Sequence, residues 1–165
     1  MDTARLARHL FTTRRGVKRA FPATCMDAIR AAIERAEACH RGEIRFVIEA
    51  VLEPAQLMRA MTPRARALEL FCKLRVWDTP DNSGVLIYVL FADRAIEIIA
   101  DRGIHARAGQ ASWDCIAGAM QKAFASGEFE AGALSGIAGV AGELRRHMPI
   151  DGPSPDELPN EVTLL

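Results

Sequence analysis

The chain has 165 residues, half of them hydrophobic, which fits a single domain with a substantial core. Its 21 Lys and Arg balance its 21 Asp and Glu, so no global charge draws it to nucleic acid or to a lipid surface. One tyrosine and two tryptophans are too few for a base-stacking surface, and no nucleic-acid partner is expected.

Residues 1–21 carry Arg5, Arg8, Arg14, Arg15, Lys18 and Arg19 against Asp2 alone. They read as a solvated, partly helical basic arm, dispensable for folding. Leu6, Leu10 and Val17 give it only a thin apolar stripe, so membrane association is expected only peripherally, through this arm. The start lacks the apolar stretch of a secretory signal, although an Arg-rich, acid-poor start also resembles an organelle transit peptide. The longest weakly polar runs, 84–92 and 131–142, fall short of the roughly 20 residues that span a bilayer. A cytoplasmic location is the expectation.

Residues 22–149 form the predicted domain. Pro22 and Thr24 open its first helix, with Thr24 as cap and Ile29, Ile33 and Ala36 on one face. Gly42 stops that helix. Residues 43–52 alternate as a strand, with Ile44, Phe46 and Ile48 on one face and Glu43, Arg45 and Glu49 on the other. Thr62-Pro63 starts the next helix. Strand, helix and strand in this order predict a right-handed βαβ unit with two parallel strands. Residues 85–91 are almost wholly apolar, as in a strand covered on both faces. Ala92-Asp93-Arg94 turns the chain into an antiparallel return over 95–100.

Ser112 caps the following predicted helix, which stops at Ser126-Gly127, and a last helix runs from about 129 to 147. That helix carries Gly132, Gly136, Gly139 and Gly142. Interior glycines weaken a helix, and close packing against a neighbour is the expected offset. No strand precedes them, which argues against a dinucleotide fingerprint. Residues 150–165 read as an extended tail with Pro153, Pro155 and Pro159. The fold class is therefore α/β: a three-layer α/β/α sandwich whose mixed sheet has a parallel βαβ unit, then a β-hairpin and two C-terminal helices. Cys25, Cys39, Cys72 and Cys115 lack C-x-x-C spacing and read as reduced core thiols.

This topology gathers segments that are distant in sequence. Parallel first and second strands share a starting edge, and an antiparallel third strand ends there. Residues 40–43, 78–83 and 101–102 should therefore converge. Asp78, Asp81, Asn82 and Asp101, with Glu43 beside them, are hard oxygen donors of the kind Ca²⁺ or Mg²⁺ takes. His40, Arg45 and Arg102 complete the polar edge. Each has a plainer reading as well. Asp81-Asn82 is turn chemistry, Asp78 a helix-exit residue, Asp101-Arg102 a surface ion pair, and His40 a helix C-terminal residue. Open parallel sheets usually bind ligands at the opposite, carboxyl edge, where Glu53, Asp93 and Arg94 read as loop and turn residues. The sequence holds no H-E-x-x-H, G-x-S-x-G or phosphate-loop motif, and its histidines are scattered at 9, 40, 105 and 147.

The run D-N-S-G-V-L-I-Y-V-L, leading through A-D-R-A-I-E-I-I-A-D-R-G-I, resembles the TPM-domain family of thylakoid-lumen, photosystem II-associated and receptor-modulating proteins. The resemblance covers roughly residues 25–149 and is most specific over 81–104. The stretches H-R-G-E-I-R-F-V-I-E and D-E-L-P-N look like those of a compact, uncharacterised proteobacterial branch without a membrane helix. Such a resemblance implies an α/β/α sandwich, divalent-cation binding and, for some members, phosphatase activity. Two departures weigh on the last two. The family's Asp-x-Ala-Gly-x-Leu motif is replaced by Phe-Pro-Ala-Thr-Cys-Met-Asp over 21–27, and a usual glutamate gives way to Arg102-Gly103-Ile104-His105. The expected function is a non-catalytic interaction domain with a protein partner and a Ca²⁺ or Mg²⁺ ion, without an organic cofactor. The alternative is a metal-dependent phosphatase acting on phosphomonoesters through Asp78, Asp81 and Asp101. A third reading is a membrane-associated scaffold recruited by the basic arm.

Overall fold

A computed structural model describes residues 3–150 and 159–165. Two short helices, α1 (Thr3–Phe11) and α2 (Arg14–Ala20), precede α3 (Ala23–Glu37) and strand β1 (Glu43–Glu49). Helices α4 (Pro54–Met58) and α5 (Pro63–Lys73) lead to the hairpin of β2 (Gly84–Leu90) and β3 (Ala95–Ala100). Then come α6 (Arg102–Ala108), α7 (Gln110–Ala125), α8 (Phe129–His147) and a two-residue strand β4 (Thr163–Leu164).

The sheet order is β3-β2-β1-β4. As the βαβ reading predicts, β1 and β2 are parallel, with Glu43 opposite Gly84 and Glu49 opposite Leu90. β3 returns antiparallel, with Val85 opposite Ala100. Every residue of β1 and β2 is buried, because helices cover both faces. Ile44, Phe46 and Ile48 face a core built with Cys25, Ile29 and Ile33 of α3, Trp113 and Met120 of α7, and Val140 and Leu144 of α8. Val47, Leu86 and Tyr88 face the other layer, with Ala67, Leu70 and Phe71 of α5. This is the expected three-layer sandwich.

The α5 layer also encloses a polar network. Arg66 donates through Nε and Nη2 to Glu49 at 2.7–3.2 Å, and the Tyr88 hydroxyl donates to Glu49 at 2.6 Å. The Glu49 hydrogen bonds raise the Arg66 pKa further. Burial, then Glu49, raises that of Tyr88. Removing one member of such a buried pair costs about 3–5 kcal/mol, because the other charge is left uncompensated.

Local differences from the sequence reading have identifiable causes. Thr24 lies inside α3, whose N-cap is Pro22. Among the described residues three helices follow the hairpin instead of two, since Asp101 follows β3 and caps the additional α6. Ser112 is not the cap of α7. Gly109, with φ of 78°, holds that place, and the Ser112 hydroxyl donates back to Ala108 O at 3.1 Å. Of the cysteines, Cys25 is buried, whereas Cys39, Cys72 and Cys115 are exposed and so are not core thiols.

Both ends of the chain also differ. Over residues 3–21, the arm expected to be solvated is instead docked: Val17 is fully buried and Phe21 nearly so. Arg5 grips Asp93 of the β2–β3 turn through Nε and Nη2 and donates to Met61 O. His9 Nε2 meets the same carboxylate at 3.1 Å while its Nδ1 accepts from Leu52 N. Thr163–Leu164 pair as β4, parallel to β1, with Leu165 N donating to Ile48 O and Ala50 N to Leu165 O. Pro153, Pro155 and the beginning of the D-E-L-P-N stretch lie outside the described residues.

Candidate functional site

The three segments expected at the start of β1 and β2 do meet. The Ser83 hydroxyl donates to Arg41 O at 3.1 Å, Asp101 N donates to Gly84 O, and Gly103 N and Ile104 N both donate to Asn82 O. Close approach is enforced by Gly103, where a Cβ would fall on the carbonyl oxygens of Asp81 and Asn82. Asn82 adopts φ of 51°, a left-handed conformation that asparagine tolerates well. The helix N-terminus at this edge is that of α6, capped by Asp101.

The acidic side chains take separate partners within this junction. Asp81 lies 3.5 Å from Arg41, and Asp78 lies 3.9 Å from Arg75. Asn82 Oδ1 accepts from Arg102 Nε at 2.9 Å. Asp101 Oδ1 accepts from Arg102 N at 2.7 Å, while its buried Oδ2 has no hydrogen-bond partner. The remaining edge residues point to other tasks. Arg45 reaches the tail, donating to Pro159 O and to Thr163 Oγ1 at 2.9 Å. Glu43 is buried. His40 bridges to Pro149, and its Nδ1 accepts from Gly42 N. Burial, reinforced by Arg145, lowers the His40 pKa to about 4.

Among the described residues, no three His, Cys, Asp or Glu side chains gather closely enough to hold a metal ion. Three of the oxygen-bearing side chains proposed as ligands already face guanidinium groups. The lone buried Asp101 Oδ2 is one donor, and Ca²⁺ takes about six to eight. As built, the set does not fit a resident divalent cation. Arg41 is the participant missed in the sequence. Its place between α3 and β1 was the available signal.

The opposite end of the sheet is more open. A cavity of about 730 Å³ lies where β2 ends, between α1 and the α7–α8 connection. Val89, Phe91, Ile96, Phe124 and Phe129 supply its apolar wall, and Arg8 and Arg94 its charge. Phe21, Phe124 and Phe129 stack mutually at centroid distances of 5.3–5.6 Å, with Phe91 5.9 Å from Phe129. Phe11, 83% exposed, stands at the rim. Sequence reading treated Arg94 as a turn residue and gave these phenylalanines no functional role.

The comparisons agree with this architecture. The TPM domain model matches residues 20–143. The BA42 protein of the psychrophilic bacterium Bizionia argentinensis, solved by NMR, is 32% identical, with a TM-score of 0.77 over 88% of this chain and 95% of that one. The N-terminal domain of a P. gingivalis protein, also solved by NMR, is 16% identical, with a TM-score of 0.61 over 79% of this chain and 82% of its own length. It shows likeness of fold alone. No curated protein matches. Among the described residues no helix is long and apolar enough to cross a membrane. With the family model spanning β1, β2 and β3 and helices on both faces of the sheet, and with a relative matching nearly end to end, the chain belongs to the TPM-domain family.

Proposed function

We propose that this domain acts by binding, as a non-catalytic interaction domain. The observation that carries this reading is the pairing at the loop edge, where Arg41 and Arg102 face Asp81 and Asn82. Oxygens engaged in this way are poor ligands for a catalytic ion and poor general bases. Any Ca²⁺ or Mg²⁺ taken up here competes with Arg102. Arg102→Ala should therefore enlarge the rise in melting temperature produced by millimolar Ca²⁺, since ligands of the native state stabilise it by mass action. A shift unchanged by Arg102→Ala would place the cation elsewhere.

The phosphatase reading draws on Asp101, whose buried Oδ2 lacks a partner; buried polar atoms are seldom left unpaired without a reason. Hydrolysis of p-nitrophenyl phosphate with Mg²⁺ or Ca²⁺ separates the two readings. We expect no metal-dependent turnover. Turnover abolished by Asp101→Asn would replace the binding role with catalysis.

A further inference from the structure

The cavity at the end of β2 has the composition of a ligand site. Its volume, about 730 Å³, lies in the range of about 300–1,000 Å³ that buries small molecules. The apolar wall is held in place by mutual ring contacts of Phe21, Phe124 and Phe129, so the space need not be opened by the ligand. Its lining contains two arginines and no carboxylate.

The two arginines differ. Arg8 stands 3.9 Å from Asp93, a carboxylate already held by Arg5 and His9. Arg94 has no carboxylate within ion-pair distance among the described residues, and its φ of 52° is set by the tight turn. Arg94 is exposed to solvent, so its charge is hydrated, and an apolar chamber with such a cation in its lining suits an apolar body carrying a negative end. A guanidinium is well matched to a carboxylate, which it can grip through two parallel hydrogen bonds. A wholly apolar occupant would make no use of Arg94. A polyanion would set its remaining charges against phenylalanine.

We propose that this cleft binds a long-chain carboxylic acid, with its hydrocarbon chain among Phe91, Phe124 and Phe129 and its carboxylate on Arg94, assisted by Arg8. The proposal rests on the binding role above and supplies its ligand class. It places the site at the carboxyl edge of the parallel strands, the usual ligand edge of open α/β sheets, and not at the edge carrying the acidic loops.

Titration calorimetry with dodecanoate below its micellar concentration tests this on the full chain. We expect saturable one-to-one binding. Arg94→Asn, which keeps a residue suited to the left-handed turn, should weaken dodecanoate about tenfold through loss of a charge-assisted contact and leave uncharged dodecanol unaffected. Ala125→Trp and Gln121→Trp, both at exposed positions of the lining, should narrow the chamber and weaken binding of either probe. Thermal melts of each variant identify any that fails to fold, and the second tryptophan variant then takes its place. Absence of saturable binding, unchanged binding in folded tryptophan variants, or equal weakening of dodecanol by Arg94→Asn would each overturn the assignment. If a peptide ending in phenylalanine with a free carboxylate bound in the cleft and dodecanoate did not, the fatty-acid ligand would be wrong while the interaction role stood.

Discussion

Asp93 accepts hydrogen bonds from two residues of α1, Arg5 and His9, although it belongs to a turn more than eighty positions away. Burial would raise its carboxyl pKa, but the Arg5 and His9 contacts outweigh that effect and hold it below the usual value. A depressed folded pKa means that this stabilisation is present above the unfolded value near 3.8 and is lost as pH falls through the folded one. Asp93→Asn should therefore cost about 1–3 kcal/mol at neutral pH, the penalty for stranding buried partners. In chemical denaturation the deficit should shrink at strongly acidic pH. A pH-independent deficit would mean that packing, not charge, fixes α1. His40 titrates in a different window. Its pKa falls from 6.5 to about 4 on folding, so the unfolded chain binds the extra proton between those values and stability drops as pH decreases through that interval. His40→Asn can still offer an acceptor to Gly42 N and should flatten that slope, as measured by denaturation midpoints from pH 7 to about 4.

At the level of the elements, the glycine face of α8 meets α7. A Cβ on Gly136 would fall on the Met120 side chain, one on Gly132 would crowd Phe124, and one on Gly139 would press Ile116, whereas Gly142 faces open space. The inferred close packing therefore holds for three of the four glycines. Gly136→Leu should destabilise by about 1–3 kcal/mol, the usual cost of overpacking; Gly142→Ala should be neutral or slightly stabilising by helix propensity. Equal denaturation midpoints for both variants would contradict this contact. Elements with a long apolar period were legible in the sequence: β1, β2, α5, α7 and α8 lie essentially where their patterns put them. Those held by tertiary contacts were not. α6 is seven residues long with a glycine at its second position, and it is anchored by the Asn82 carbonyl. α1 docks through arginine and histidine, so its apolar stripe understates its attachment. The convergence of the site loops followed from strand direction alone, but the pairing of Arg41 with Asp81 depends on side-chain reach, which periodicity does not encode.

For the whole molecule, residues 163–165 cover part of the β1 edge of the sheet. Without residues 159–165, the outer edge of β1 would expose unpaired backbone groups beside buried Val47 and Ile48, and Arg45 would lose its acceptors at Pro159 and Thr163. Open edges of this kind pair with other chains. A chain ending at residue 158 should melt at a lower temperature and self-associate in sedimentation velocity, while retaining far-ultraviolet helix content. A truncated chain that stays monomeric with an unchanged melt would show that β4 contributes little.

The placement of β1 also bears on synthesis. It pairs with β2 on one side and with the last described residues on the other, while residues near the N-terminus clasp the β2–β3 turn. A chain emerging from the ribosome can build α3, β1 and the hairpin early, yet one border of its central strand stays open until residues 163–165 arrive. Contacts that join such distant positions form slowly, and exposed strand edges are the hazardous feature of partly folded chains. The border of β1 is therefore open to pairing with another strand until residues 163–165 emerge, although most of the hydrophobic core precedes them in the chain.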